Sequence, residues 1–178
     1  MPWVIDKKHS YVGFTIRHIA TKVRGRFRDY DADIQFNEQD LVSSRFSGTI
    51  QVASIDTNES QRDDHLRSAE FFDVARYPTI RYTSTRIQAL GNNLFRVYGD
   101  LTIRDATKEI VVEGEFAGPP RKDPWGVLRS GLSATGTIDR HEFGLVWNVP
   151  LEAGGVLVGS TVTMQLDLEL MWEGASKA

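Results

Sequence analysis

Alternation of apolar and polar side chains at a period of two runs through most of the chain and marks eight strands. Four of them fall at about His9–His18 (Val12, Phe14 and Ile16 on one face), Arg24–Phe36 (Tyr30, Ala32, Ile34 and Phe36), Ser43–Ala53 (Phe46, Ile50 and Val52) and Thr79–Gln88 (Ile80 and Tyr82). The others are Leu94–Arg104 (Phe95, Val97, Leu101 and Ile103), Glu109–Ala117 (Ile110, Val112 and Phe116), Leu128–Ile138 (Leu132, Ala134 and Ile138) and Val156–Trp172 (Val162, Met164, Leu166, Leu168 and Leu170). Only Asn58–Asp73 reads as helical. Asn58 serves as the expected N-cap with Gln61 three residues on, and Tyr77-Pro78 closes the segment because the residue before a proline is pushed out of helical geometry. Gly91-Asn92-Asn93 and Asp105–Lys108 carry hairpin chemistry, and Gly118–Pro124 reads as a loop.

Eight strands with one apolar face each must close into a barrel or stack as a sandwich. Several run to ten or more residues against a typical length of about five or six. Long strands joined by short hairpins predict an all-β, eight-stranded antiparallel barrel with one or two short helices. No repeat or composition break divides it, so residues 1–178 are expected to form one domain. A barrel of this size packs solid or holds one small ligand. Gly48, Gly99, Gly114 and Gly136 share the inward parity of their strands. Missing side chains there leave room for a long apolar cavity, or else mark bends that let the sheet curl.

Composition narrows the function. Hydrophobic residues make up 40% and charged ones 25% of the 178, an ordinary globular balance that argues against disorder. Twenty-one basic and 24 acidic side chains give a net charge of −3, which argues against nucleic acid as a partner. There is no cysteine, so disulfides, thiolate catalysis and cysteine metal sites are excluded. Met1–Lys8 lacks the apolar stretch of about 7–15 residues that a secretory leader needs. The longest uncharged stretch, Ala153–Leu166, is too short and too polar for a membrane span. The expectation is a cytoplasmic protein, or a periplasmic one if a leader was removed.

Two polar clusters stand out. Arg17, His18, Lys22, Arg24, Arg26 and Arg28 form a run with no acid until Asp29. Arg24, Arg26 and Arg28 share the parity of Tyr30 and Ile34, which would bring them to a barrel mouth as a site for an anionic head group. The alternative is a solvated strand end balanced by Asp29, Asp31 and Asp33. In Asn58–Asp73, His65 beside Asp63 or Asp64 has the makings of an acid–base pair. Equally, Arg62, Asp63 and His65 tie the helix to the barrel while Phe71 and Phe72 plug one end or gate it. His9, His18, His65 and His141 show no metal-ligand spacing, so no metal is expected. Trp3, Trp125, Trp147 and Trp172 read as core or rim packing.

The sequence resembles the YceI-like family. The likeness rests on Trp3–Asp6, His9–His18, Val23–Phe27, Ser54–Thr57, Arg62–Asp73, Tyr77-Pro78, Tyr82–Ser84, Gly99–Ile103 with Thr107-Lys108, and Arg140–Gly144, and it covers nearly the whole chain in register. The resemblance implies a lipocalin-like barrel, open inside, that carries or stores a polyisoprenoid lipid, either an isoprenoid quinone or a prenyl pyrophosphate. It implies no cofactor beyond that lipid, no catalytic residues, and a homodimer. Strand parity then places Phe14, Ile16, Tyr30, Ile34, Phe46, Ile50, Tyr82, Phe95, Val97, Leu132 and Met164 around the tail. Arg17, His18, Lys22 and Arg24 meet the head, and Phe71 and Phe72 close one end. The competing readings are an enzyme acting on such a lipid, with His65 or His141 as acid–base and Asp63 or Glu142 as orienter, and a solid barrel whose Arg17–Arg28 patch binds an acidic partner.

Overall fold

The computed structural model describes residues 3–37 and 39–174, so the bounds expected for the domain, 1 and 178, lie outside the described residues. In chain order the strands are β1 (Trp3–Ile5), β2 (Tyr11–His18), β3 (Thr21–Phe27), β4 (Tyr30–Gln35), β5 (Arg45–Gln51), β6 (Ile55–Asp56), β7 (Thr79–Gly91), β8 (Leu94–Ile103), β9 (Ala106–Phe116), β10 (Arg121–Lys122), β11 (Leu128–Asp139) and β12 (Val158–Trp172). The α-helix α1 spans Ser60–Arg67. β1 and β2 follow one another along β12, and β3 and β4 continue each other, so the pairings close an eight-stranded antiparallel barrel.

Each stave departs from a uniform strand where its partners change. The alternation in Arg24–Phe36 predicts one unbroken strand, yet the chain breaks at Arg28 and Asp29. β3 pairs with β2 and β6, whereas β4 pairs with β5 and β1. The two irregular residues carry the chain from one partner to the other and shift the parity. Phe27 and Tyr30 therefore both face inward, and Arg24 and Arg28 are exposed outside. A bulge between Ser84 and Arg86 does the same in β7, bringing Ile87 to the inside. The proline-rich loop contributes the short β10, and the β8–β9 turn is Arg104 and Asp105 alone, since Ala106–Lys108, expected in the turn, already pair as the start of β9.

The helix is shorter than Asn58–Asp73. Glu59, not Asn58, caps it, its carboxylate accepting the Gln61 and Arg62 backbone N–H groups. Asn58 takes a left-handed φ of 65° and turns the chain into the cap. Ser68 ends the helix, its hydroxyl donating to the His65 carbonyl at 2.6 Å. Two apolar clusters occupy opposite ends of the barrel. One, on the side of α1, holds Phe27, Val52, Ile55, Ile103, Phe143 and Leu145. The other seals the far end with Trp3, Ile34, Phe36, Phe95, Phe116 and Leu170.

Candidate functional site

Between those clusters the barrel encloses a cavity of about 650 Å³, inside the range of about 300–1,000 Å³ typical of ligand pockets. The strands supply its wall by alternation. Phe14, Ile16, Tyr30, Ile34, Phe46, Ile50, Tyr82, Phe95, Val97, Leu132 and Met164 all line it, as their parity predicts. Phe71 and Phe72 line it from the turn after α1, Phe72 edge-on to Phe27 and Phe71 against Trp147.

The four glycines divide. At Gly48 the nearest atoms to an added Cβ are the Asp31 carbonyl oxygen at 3.4 Å and the Ala32 Cβ at 3.9 Å, so this stretch of wall is bare. The room at Gly99 is filled by the Tyr82 ring. At Gly114 and Gly136 the backbones of β11 and β9 approach too closely for any side chain. The cavity therefore owes its width to one of the four, and two of them mark strand contacts.

The basic residues are arranged differently from the expectation that all four meet a head group. His18 lines the cavity, whereas Arg17, Lys22 and Arg24 are exposed on the outer face and do not. The cations that do line it are Arg62 and Arg140. Arg62 donates through Nε to Thr57 Oγ1 and through Nη2 to the Thr57 carbonyl, both at 2.7 Å. Its Nη1 is uncommitted among the described residues. Arg140 is 2% exposed. It donates to the carbonyls of Gly159, Leu145, Trp147 and Val158, and among the described residues it makes no direct ion pair, the Asp139 carboxylate acting on it only at longer range. Burial pulls its pKa below the ordinary arginine value, but a guanidinium stays charged in proteins. Sequence patterning missed both: Arg62 belongs to the helix and Arg140 to a short 3-10 turn, where no strand parity applies.

Glu59, Gln61, Arg62, His65, Trp147, Leu157 and His18 gather at the α1 end, so the polar lining is concentrated there apart from Asp31, Ser47 and Thr49 on the β4–β5 wall. Deeper in, the Tyr30 and Tyr82 hydroxyls are buried without a partner among the described residues. Burial raises the pKa of both, that of Tyr82 to about 12. Both stay protonated and offer donors to a guest.

The acid–base pairs expected of an enzyme do not form. Asp63 accepts from the Thr57 N–H at 2.9 Å and the Thr57 hydroxyl at 2.6 Å. His65 is held instead by Glu70 and stands edge-on to Trp147, centroids 4.6 Å apart. His141 lies 3.9 Å from Asp139, not on Glu142, and outside the cavity lining. Asp6, His9 and Glu169 come close enough for a cation, but the Arg129 guanidinium already donates to both carboxylates. Trp3 and Trp172 pack edge-on in the sealed end, while Trp125 is 83% exposed at the tip of the β10–β11 hairpin rather than packed.

With this geometry established, known proteins give a consistent comparison. The model of the YceI-like domain matches residues 3–170. A UPF0312 protein of Pseudomonas savastanoi pv. phaseolicola is 34% identical over 178 residues, covering 98% of this chain and 86% of that one. The crystal structure of Burkholderia cenocepacia BcnA superimposes with a TM-score of 0.80 at 22% identity, covering 93% of this chain and 98% of that one. A polyisoprenoid-binding domain from Saccharophagus degradans gives 0.71 at 14% identity, covering 97% and 99%. At those identities the two structures attest the fold.

Proposed function

The chain belongs to the YceI-like family, and from that premise we propose that its barrel binds a polyisoprenoid lipid, a quinone or a prenyl pyrophosphate, for transport or storage. The observation that carries the reading is the cavity itself: apolar along the strands, sealed at the far end by Trp3 and Phe116, and polar at the α1 end. Each buried methylene contributes roughly 0.8 kcal/mol. A long tail can therefore bind with few polar contacts even after the cost of ordering it. The fold-mate described as polyisoprenoid-binding agrees with this assignment.

The head group belongs at the α1 end, beside Nη1 of Arg62, which has no partner among the described residues, and the ring of His18, with Arg140 supplying a buried positive charge. Guanidinium suits a pyrophosphate or a quinone carbonyl. Tyr30 and Tyr82 would meet a polar atom carried deeper. Binding is favoured over turnover because Asp63 is committed to the Thr57 N–H and hydroxyl and His65 is engaged by Glu70.

The test is organic extraction of the purified protein and mass spectrometry of the extract, followed by loading with added prenyl lipids. A stoichiometric isoprenoid is expected. Gly48→Trp puts an indole into the bare stretch of wall and is expected to cut uptake at least tenfold. An empty extract together with no uptake of added lipid would overturn the reading.

A further inference from the structure

The α1 end of the barrel carries a second feature that the cavity does not explain. The β2–β3 hairpin and the hairpin formed by residues 148–158 lie side by side there. The Ile19 N–H donates to the Leu157 carbonyl at 3.0 Å, and the Leu157 N–H to the Val149 carbonyl at 2.9 Å. Together they expose an apolar patch: Ile19 is 54%, Val149 41% and Val156 50% exposed, with Val146 at 61% nearby. His18 and Leu157 line the cavity from the same two hairpins, so the patch borders its mouth.

The charges beside it are uncompensated. Arg17 and Lys22 face each other directly across the hairpin, a like-charge pairing that destabilises a sheet. Among the described residues neither they nor Arg24 has an acidic partner, although Arg28 farther along the same segment is paired with Asp56. Residues 17–24 contain no acid, and residues 144–158 contain only Glu152. A repulsive pair next to exposed aliphatic side chains is complementary to a surface that is anionic and apolar at once.

We infer that this lip docks the barrel on an anionic phospholipid bilayer, with Ile19, Val149 and Val156 entering the interface and Arg17, Lys22 and Arg24 meeting the phosphates. Docking would turn the mouth toward the membrane, where a polyisoprenoid resides. The inference extends the lipid-carrier reading by naming where cargo is exchanged.

Flotation of the full chain with phosphatidylglycerol–phosphatidylcholine vesicles tests it. Binding is expected to weaken on replacing phosphatidylglycerol by phosphatidylcholine and on adding salt. A juxtamembrane cation strengthens partitioning about fivefold, so Arg17→Gln with Lys22→Gln is expected to lower it about thirtyfold. Removing the repulsive pair should leave Tm unchanged or higher, which separates lost docking from lost folding. Ile19→Ser with Val149→Ser is expected to weaken binding as well. Wild-type protein that stays free of anionic vesicles, or a charge variant that floats as the wild type does, overturns the inference. Retention on an acidic protein but not on vesicles would do so too. Gly48→Trp should still dock while failing to take up lipid, so the docking and cavity readings fail independently.

Discussion

Arg129 shows how much one side chain can organise. Its guanidinium donates to Asp6 at 2.7 Å, Asp123 at 2.8 Å and Glu169 at 2.5 Å, joining the turn after β1 to β11, β12 and the loop beside β10. The hydrogen bonds from His9 and then Arg129 hold the buried Asp6 carboxyl at about 2, below its ordinary 3.8. A carboxyl depressed in the folded state contributes stability above its unfolded pKa and loses it as the pH falls through the folded value. Thermal unfolding is therefore expected to hold steady near neutrality and to lose Tm from about pH 4 down to about pH 2. Asp6→Asn should lower Tm at neutral pH and flatten that acid limb, and a wild-type limb matching the variant's would refute the assignment. At the same scale, Arg62 and Arg140 escape sequence patterning because their direction is set by Thr57 and by four backbone carbonyls that meet only in the fold.

Among the elements, α1 owes its position to contacts with Thr57. Eight residues are too few for a helix to stand in water unaided. Thr57 gives its N–H and hydroxyl to the buried Asp63 and its carbonyl to Arg62, so one residue just outside the helix anchors a full turn. Asp63→Ala leaves the two Thr57 donors unsatisfied, at an expected cost of about 1–3 kcal/mol. Chemical denaturation would measure that loss, and hydrogen exchange should show it concentrated in residues 57–67. Uniform loss of protection across the barrel would mean that α1 is no separate unit. The pattern of the chain located this element but overstated its length, because the Phe71–Phe72 turn that follows it shares the helical spacing while bending into the cavity.

For the molecule as a whole, the barrel is a container whose stability should depend on what it holds. A ligand that binds only the folded state at a hundred times its Kd adds about 2.7 kcal/mol. For a chain of this size that raises Tm by roughly 5–11 °C. Calorimetry on delipidated protein, before and after reloading with a prenyl lipid, is expected to show this rise, and Gly48→Trp should show none. An equal rise in the blocked variant would place the lipid outside the cavity.

The alternation of side chains by itself determined the class of fold, the eight staves, their inward faces and the cavity lining along the strands, because period two is a local property of extended chain and needs no partner to be read. Phe14, Phe46, Val97 and Met164 all lie where that period puts them. Only the tertiary structure decided which glycines leave space and which side the cations take. A Cβ-free position is empty or filled according to what crosses it: open wall at Gly48, the Tyr82 ring at Gly99, the neighbouring backbone at Gly114 and Gly136. The exchange of partners at Arg28 and Asp29 shifts the parity by one residue and turns Arg24 from the mouth to the outside. Such a shift depends on which distant strand lies alongside, information that local periodicity does not contain.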